Sequence, residues 1–218
     1  MFRVIIVDDH PMVSAALKDL LETQEHFEVV AVHDNGGAAL SAVRTLQPDL
    51  LIIDLGVPVL GGVEVISRLR AGGAQFGILV VSGGESHESG LRALRAGANG
   101  FLLKDTAPTE ILDAVRRVAA GESMLSPAVL TRLIDTVVRG GAAPAGGPGS
   151  AARALLGRLT GREREVADAV AAGRSNAEIA AQLYMSVATV KATVSRLFTK
   201  LECTNRVQIA IVVHESRT

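Results

Sequence analysis

Cysteine, tryptophan and tyrosine are nearly missing from this 218-residue chain: one cysteine, Cys203, one tyrosine, no tryptophan, and 3% aromatics in all. A single thiol excludes an internal disulfide and any cysteine-cluster metal site. With so few aromatics, the core must be built from Val, Leu, Ile and Ala. No stretch offers 18 uncharged apolar residues, so no membrane-spanning helix and no membrane partner are expected. The opening MFRVIIVDDH meets two acids after a four-residue apolar run, which suits neither a signal peptide nor a span, and the expected location is the cytoplasm. Hydrophobic residues make up 48% and charged residues 21%, a globular composition that excludes disorder throughout and fibrous repeats.

A large excess of one charge is also missing, since the net is −1, but the two signs are unevenly spread. Residues 1–150 hold 12 Lys and Arg against 17 Asp and Glu, a net of −5. Residues 151–218 hold 10 against 6, a net of +4. The second part has the sign a polyanion such as DNA selects. Between the two lies a Gly/Ala/Pro segment, residues 140–150, with no large apolar side chain. Such a segment cannot bury enough surface to offset its ordering entropy and is expected to be a flexible linker. Ser126-Pro127 opens an expected connector helix ending near Arg139. The expected divisions are residues 1–125, a connector 126–152 and residues 153–218.

Within residues 1–125, short β-branched runs recur at Val4–Val7, Val29–Val32, Leu50–Ile53, Ile78–Val81 and Phe101–Leu103. Uninterrupted runs of this kind fit strands covered on both faces. The gaps have room for five helices, so the expected fold is a doubly wound α/β domain with a five-stranded parallel sheet. In such sheets the working groups lie at the carboxyl ends of the strands. Strand one ends in Asp8-Asp9, strand three in Asp54, strand four in Ser82 and strand five in Lys104. Carboxylates converging at one edge repel unless a cation sits among them, and oxygen ligands alone favour a hard ion such as Mg²⁺. A carboxylate, a metal, a hydroxyl and an ammonium together make a phosphoryl-handling site, in which the carboxylate attacks phosphorus and the cations neutralise the equatorial oxygens. His10, beside the acids, reads as a loop residue that can aid the pocket.

The blocks VIIVDDHP, PDLLIIDLGVP, LVVSGGE and GANGFLLKD resemble the receiver domain of response regulators, a flavodoxin-like fold, over residues 1 to about 125. The resemblance implies that Asp54 is the phosphoacceptor and that Asp9 and Asp54 ligate Mg²⁺. It further implies that Asp8 assists through water and that the Gly56 carbonyl completes the protein ligands. Ser82 and Lys104 would hold the phosphoryl oxygens and Phe101 would be the switch aromatic, swinging as the hydroxyl is drawn inward. Ser82 stands where threonine is more usual, and Asp105 follows Lys104 where many receivers have proline.

The last part carries helix signals. Thr160-Gly-Arg-Glu163 and Ser175-Asn-Ala-Glu178 match the capping box, and Ser186 can cap a third helix. A short element, Asn176–Leu183, leads through a tight link into Ala188–Leu201, which reads as helix-turn-helix. At 100° per residue Val190, Val194, Leu197 and Leu201 fall on one seam. Ala192, Ser195, Arg196 and Thr199 point the other way, flanked by Lys191 and Lys200, a cationic face suited to a major groove. The stretch resembles the LuxR-type helix-turn-helix in LTGREREV, SNAEIAAQL, SVATVKATVSRLFTKL and TNRVQ. By that resemblance Lys191, Ser195 and Arg196, with the small Ala192, would face the groove, while Thr189, Lys200 and Arg206 would favour phosphates. Thr193 stands where many members have histidine. The last helix, about Arg206–His214, would serve as a dimer surface.

A receiver followed by this module is the NarL/FixJ type of response regulator. The implied function is a transcription regulator that a sensor histidine kinase phosphorylates, that dimerises when phosphorylated, and that binds double-stranded operator DNA rather than acting as an enzyme. Two other readings stand beside it. An aspartate-nucleophile phosphatase needs a second aspartate two residues on, where Leu55-Gly56 follow Asp54. A phosphorylation-independent DNA binder keeps the architecture but leaves the acceptor set without a purpose. Cys203 reads as a small packing residue.

Overall fold

Six parallel strands in the order β2-β1-β3-β4-β5-β6 form the sheet of the first unit. They are β1 (Phe2–Val7), β2 (Phe27–His33), β3 (Leu50–Ile53), β4 (Gly77–Ser82), β5 (Gly100–Leu103) and β6 (Met124–Leu125). Helices α1 (Pro11–Glu22), α2 (Gly36–Leu46), α3 (Gly62–Ala71), α4 (His87–Ala96) and α5 (Pro108–Ala119) alternate with the first five strands. The computed structural model describes residues 1–83, 87–122, 124–125 and 148–217. The chain divides into two units, Met1–Asp135 and Thr136–Thr218. No described helix is long and apolar enough to cross a membrane.

The apolar runs of β1, β3 and β4 are buried throughout, as cover on both faces requires. On the edge strand β2, Val29 to Ala31 are only half-buried and Val32 is exposed, because an edge strand has a neighbour on one side alone. Leu50 to Ile53 are all buried. On one face Val4, Ile6, Leu50, Ile52, Leu79, Val81 and Leu102 pack with Leu17 and Leu21 of α1 and Ile111, Ala114, Val115 and Val118 of α5. The opposite parity (Ile5, Val7, Leu51, Ile53, Val80) is equally buried, on the side where α2, α3 and α4 lie beside one another. The five expected strands are present. The added β6 pairs two residues with Gly100 and Phe101 at the sheet edge. Two residues carry no periodicity, so nothing in the sequence marks them.

The ladder runs one residue beyond the strands at the carboxyl edge. The Asp8 amide donates to the His33 carbonyl at 3.0 Å, the Asp54 amide to Val7 at 2.9 Å and the Lys104 amide to Ser82 at 2.9 Å. Backbone pairing thus fixes three of the expected groups before any side chain acts. Gly62, at the start of α3, lies so close behind Asp54 that an added Cβ would be 2.5 Å from the Asp54 carbonyl oxygen. Only glycine permits that approach.

The second unit consists of α6 (Pro148–Leu156), α7 (Gly161–Ala171), α8 (Asn176–Gln182), α9 (Val187–Lys200) and α10 (Arg206–Glu215). Leu156, Val166, Val170, Ile179, Val190, Leu197 and Ile209 meet in its core. Both expected capping boxes are formed, and Ser186 and Asn205 cap α9 and α10. The link between α8 and α9 turns through Tyr184 at φ 53°.

The expected linker differs at its end, because Pro148, Gly149 and Ser150 form the first turn of α6. Proline suits a helix start, Ala151, Ala152 and Ala154 favour the continuation, and Ala152 and Leu156 are buried. The expected connector helix from Ser126 and residues 140–147 lie outside the described residues. Burial pushes the Cys203 thiol up to about 12, in keeping with a packing role.

Candidate functional site

Asp8, Asp9, His10 and Asp54 converge at the carboxyl edge of the sheet, each offering a ligand atom, all within 4.8 Å of one another. Asp8 and Asp54 are buried and Asp9 is partly exposed. Lys104 Nζ lies between the buried pair, 2.8 Å from Asp8 Oδ2 and 2.7 Å from Asp54 Oδ2. His10 Nδ1 is 2.8 Å from Asp9 Oδ1 and 3.4 Å from Asp8 Oδ1. The Ser82 side chain is fully buried, and its hydroxyl has no hydrogen-bond partner among the described residues. The Gly56 amide faces Asp54 Oδ1 at 3.5 Å. The structure therefore brings together Asp8, Asp9, Asp54, Gly56 and Lys104, with Ser82 at the end of the neighbouring strand. Phe101 lies two residues before the end of β5 and is buried on the α4 side.

Burial on its own would raise the Asp54 carboxyl, but the hydrogen bond and charge of Lys104 outweigh it and hold the group below its ordinary value. The nearby Ser82 hydroxyl and the Gly56 amide lower it further. Burial would likewise lower the Lys104 ammonium, and the hydrogen bonds to Asp54 and Asp8 instead raise it. Asp54 is thus ionised and Lys104 charged at neutral pH, so a nucleophilic oxygen sits beside a fixed cation. The oxygen donors of Asp8, Asp9 and Asp54 suit a hard divalent ion. The buried Ser82 hydroxyl, without a partner among the described residues, is a further polar group at the same edge. The donor set therefore fits Mg²⁺.

In the second unit, the seam deduced from helical phase is buried: Val190, Val194, Leu197 and Leu201 all lie in the core. Thr189, Lys191, Ala192, Ser195 and Arg196 are exposed on α9. Thr193 is buried, donating to the Thr189 carbonyl at 2.9 Å and accepting from the Arg196 guanidinium at 2.9 Å. Lys200 is different. Its Nζ is 2.8 Å from Glu163 Oε2, and it is only half-exposed. Arg206 donates to the Arg174 carbonyl.

In the sequence, Glu163 is marked only as half of a capping box. Its carboxylate is buried; it accepts from the Thr160 amide at 2.9 Å, binds Lys200 and lies 3.9 Å from Arg196 Nε. The Lys200 hydrogen bond, followed by that of the Thr160 amide, holds this carboxyl at about 2. One buried acid therefore fixes both the start of α7 and two cations of α9. Its spacing of 37 residues from Lys200 carries no local signal.

Residues 4–116 match the response regulator receiver domain, and residues 158–213 match the luxR family of bacterial regulatory proteins. The chain is 33% identical over 214 residues to the nitrate/nitrite response regulator protein NarL of Escherichia coli, covering 98% of this chain and 95% of that one. It is 34% identical over 210 residues to the response regulator protein VraR of Staphylococcus aureus, covering 96% and 94%. A solved structure of two RcsB dimers bound to two parallel DNAs is similar with a TM-score of 0.56 at 25% identity, covering 100% of this chain and 99% of that one.

Proposed function

The chain belongs to the response regulators that join a receiver domain to a LuxR-type DNA-binding domain, and from that premise we propose how its own residues divide the work of a transcription factor controlled by phosphorylation. Asp54 is the acceptor. The observation that carries this is Lys104 Nζ held 2.7 Å from Asp54 Oδ2, with the buried Ser82 hydroxyl at the same edge and unpartnered among the described residues. An Asp54 oxygen forms the bond to phosphorus while the bond to the donor breaks and the leaving group takes a proton. Lys104 then exchanges its carboxylate partners for phosphoryl oxygens, and Ser82 gains its missing partner.

Asp8, Asp9 and Asp54, with the Gly56 carbonyl, would hold Mg²⁺, which supplies charge neutralisation at the transferring group when bound. The donor is a sensor histidine kinase, and the place of action is the cytoplasm. Phe101 is the aromatic that moves with Ser82. Leu55 and Gly56 after Asp54 supply no second aspartate for hydrolysis, so the chain acts as a regulator and not as a phosphatase.

Thr189, Lys191, Ala192, Ser195 and Arg196 face operator DNA. The exposed Arg196, oriented by Thr193, has the fork geometry for a guanine edge or a phosphate. Lys200 is assigned to holding α9 through Glu163, and Arg206 to the phosphate side. Phosphorylation favours receiver pairing, so two basic modules meet two half-sites together and the second contact gains from effective concentration. Mass spectrometry after incubation with acetyl phosphate and Mg²⁺ tests the acceptor. One phosphoryl adduct mapped to Asp54 is expected; an adduct elsewhere, or none, would overturn the assignment.

A further inference from the structure

Gly90 lies inside α4, where glycine is a poor helix former, and it is buried. Its backbone is not among those with positive φ, so no dihedral requires a glycine there. Space does. An added Cβ would lie 3.3 Å from Cε2, 3.4 Å from Cζ and 3.5 Å from Cδ2 of Phe101. The aromatic ring lies directly against the place where a side chain at position 90 would begin, and Phe101 is 4% exposed. Phe101 pairs with Val80 on β4, and two residues further along the same strands Ser82 pairs with Leu103. The ring and the buried hydroxyl therefore belong to one strand pair.

We infer that Gly90 is the seat of the Phe101 ring, a positioning residue that sets how readily the ring occupies its inward place and so how the receiver responds to phosphorylation. The inference rests on the reading of Phe101 as the aromatic that moves with Ser82. A methyl at position 90 is tight enough that the ring must give by a few tenths of an ångström. A branched side chain adds further atoms beside the ring and overpacks its place more strongly. Neither change touches Asp8, Asp9, Asp54 or Lys104, so acceptor chemistry and ring position are separable.

The test uses the full chain labelled with fluorophenylalanine, with the Phe101 fluorine signal assigned through Phe101→Leu. The parent, Gly90→Ala and Gly90→Val are each measured with and without acetyl phosphate and Mg²⁺. Gly90→Ala gains helix propensity, so it keeps the test sound if the valine variant folds poorly. The adduct at Asp54, read by mass, is expected to form in the variants to the parent's extent. Broadening of the Phe101 signal by a soluble gadolinium chelate added to each sample, which reads how far the ring is exposed, is expected to rise by about fivefold or more, the low end of what overpacking does to an equilibrium. The signal's response to acetyl phosphate should shrink in parallel. If the parent labels and the ring signal and its response are unchanged in Gly90→Ala and in Gly90→Val, the inference is wrong. If the parent takes no label, the reading of the acceptor falls first and this inference falls with it.

Discussion

Replacing Glu163 by glutamine separates two tasks that one carboxylate performs. Glutamine is an accepted partner in a capping box, so the Thr160 bonds survive while the ion pair with Lys200 is lost. A hydrogen bond to a charged group contributes about 1.5–3 kcal/mol. Lys200 is 37% exposed, which screens the pair, so the expected loss is about 1 kcal/mol. Glu163→Ala removes the cap as well, adding about 1 kcal/mol.

The pH dependence gives an independent handle on the same group. The carboxyl is held at about 2 against an ordinary 4.5. Because the folded value is the lower one, the stabilisation is complete above the unfolded value and disappears as pH falls from about 4.5 towards 2. Hydrogen exchange of the α9 amides in the full chain reads this locally. Protection should fall by about fivefold in Glu163→Gln, the counterpart of ~1 kcal/mol. The parent's acid-dependent loss over that pH range should be smaller in the variant. Equal protection in parent and variant, or the same acid dependence in both, would refute the role given to the Glu163–Lys200 pair.

Asp9→Ala should leave the fold intact, weaken Mg²⁺ binding and slow labelling of Asp54, as titration calorimetry and timed mass spectra would show; labelling at the parent's rate would remove Asp9 from the metal site. Arg196→Ala should cost about 1–3 kcal/mol of affinity for the preferred sequence if the contact is to a base, measured by fluorescence anisotropy. Lys200→Ala should change the salt slope by much less than the roughly one unit lost with a phosphate contact, because its ammonium is already paired with Glu163. Gly62→Ala should cost roughly 1–3 kcal/mol or more in urea unfolding, as an overpacked site does, since its Cβ would meet the Asp54 backbone.

The sheet was legible because its inner strands are buried on both faces, which leaves runs such as Leu50–Ile53 with no polar interruption. Given those runs, topology alone places Asp8, Asp54, Ser82 and Lys104 at one edge. The exposed face of α9 was legible from phase, since burial of Val190, Val194, Leu197 and Leu201 dictates what faces out. What escaped depends on contacts distant in sequence. That Lys104 bridges Asp8 as well as Asp54, that Glu163 reaches Lys200, and that Phe101 rests on Gly90 each arise from packing between elements. The strand Met124–Leu125 is too short to have a period, and the start of α6 is hidden in a Gly/Pro composition that reads as linker.

The central claim is that phosphorylation of Asp54 controls DNA binding. Its most direct test is capture of sheared genomic DNA from the source cell by the full chain, with the bound fragments sequenced. The parent and Asp54→Asn are each assayed with and without acetyl phosphate and Mg²⁺. The account predicts that acetyl phosphate makes the parent enrich a small set of fragments sharing paired half-sites, and that Asp54→Asn gains no such set. The same fragments enriched to the same degree in all four samples would contradict it.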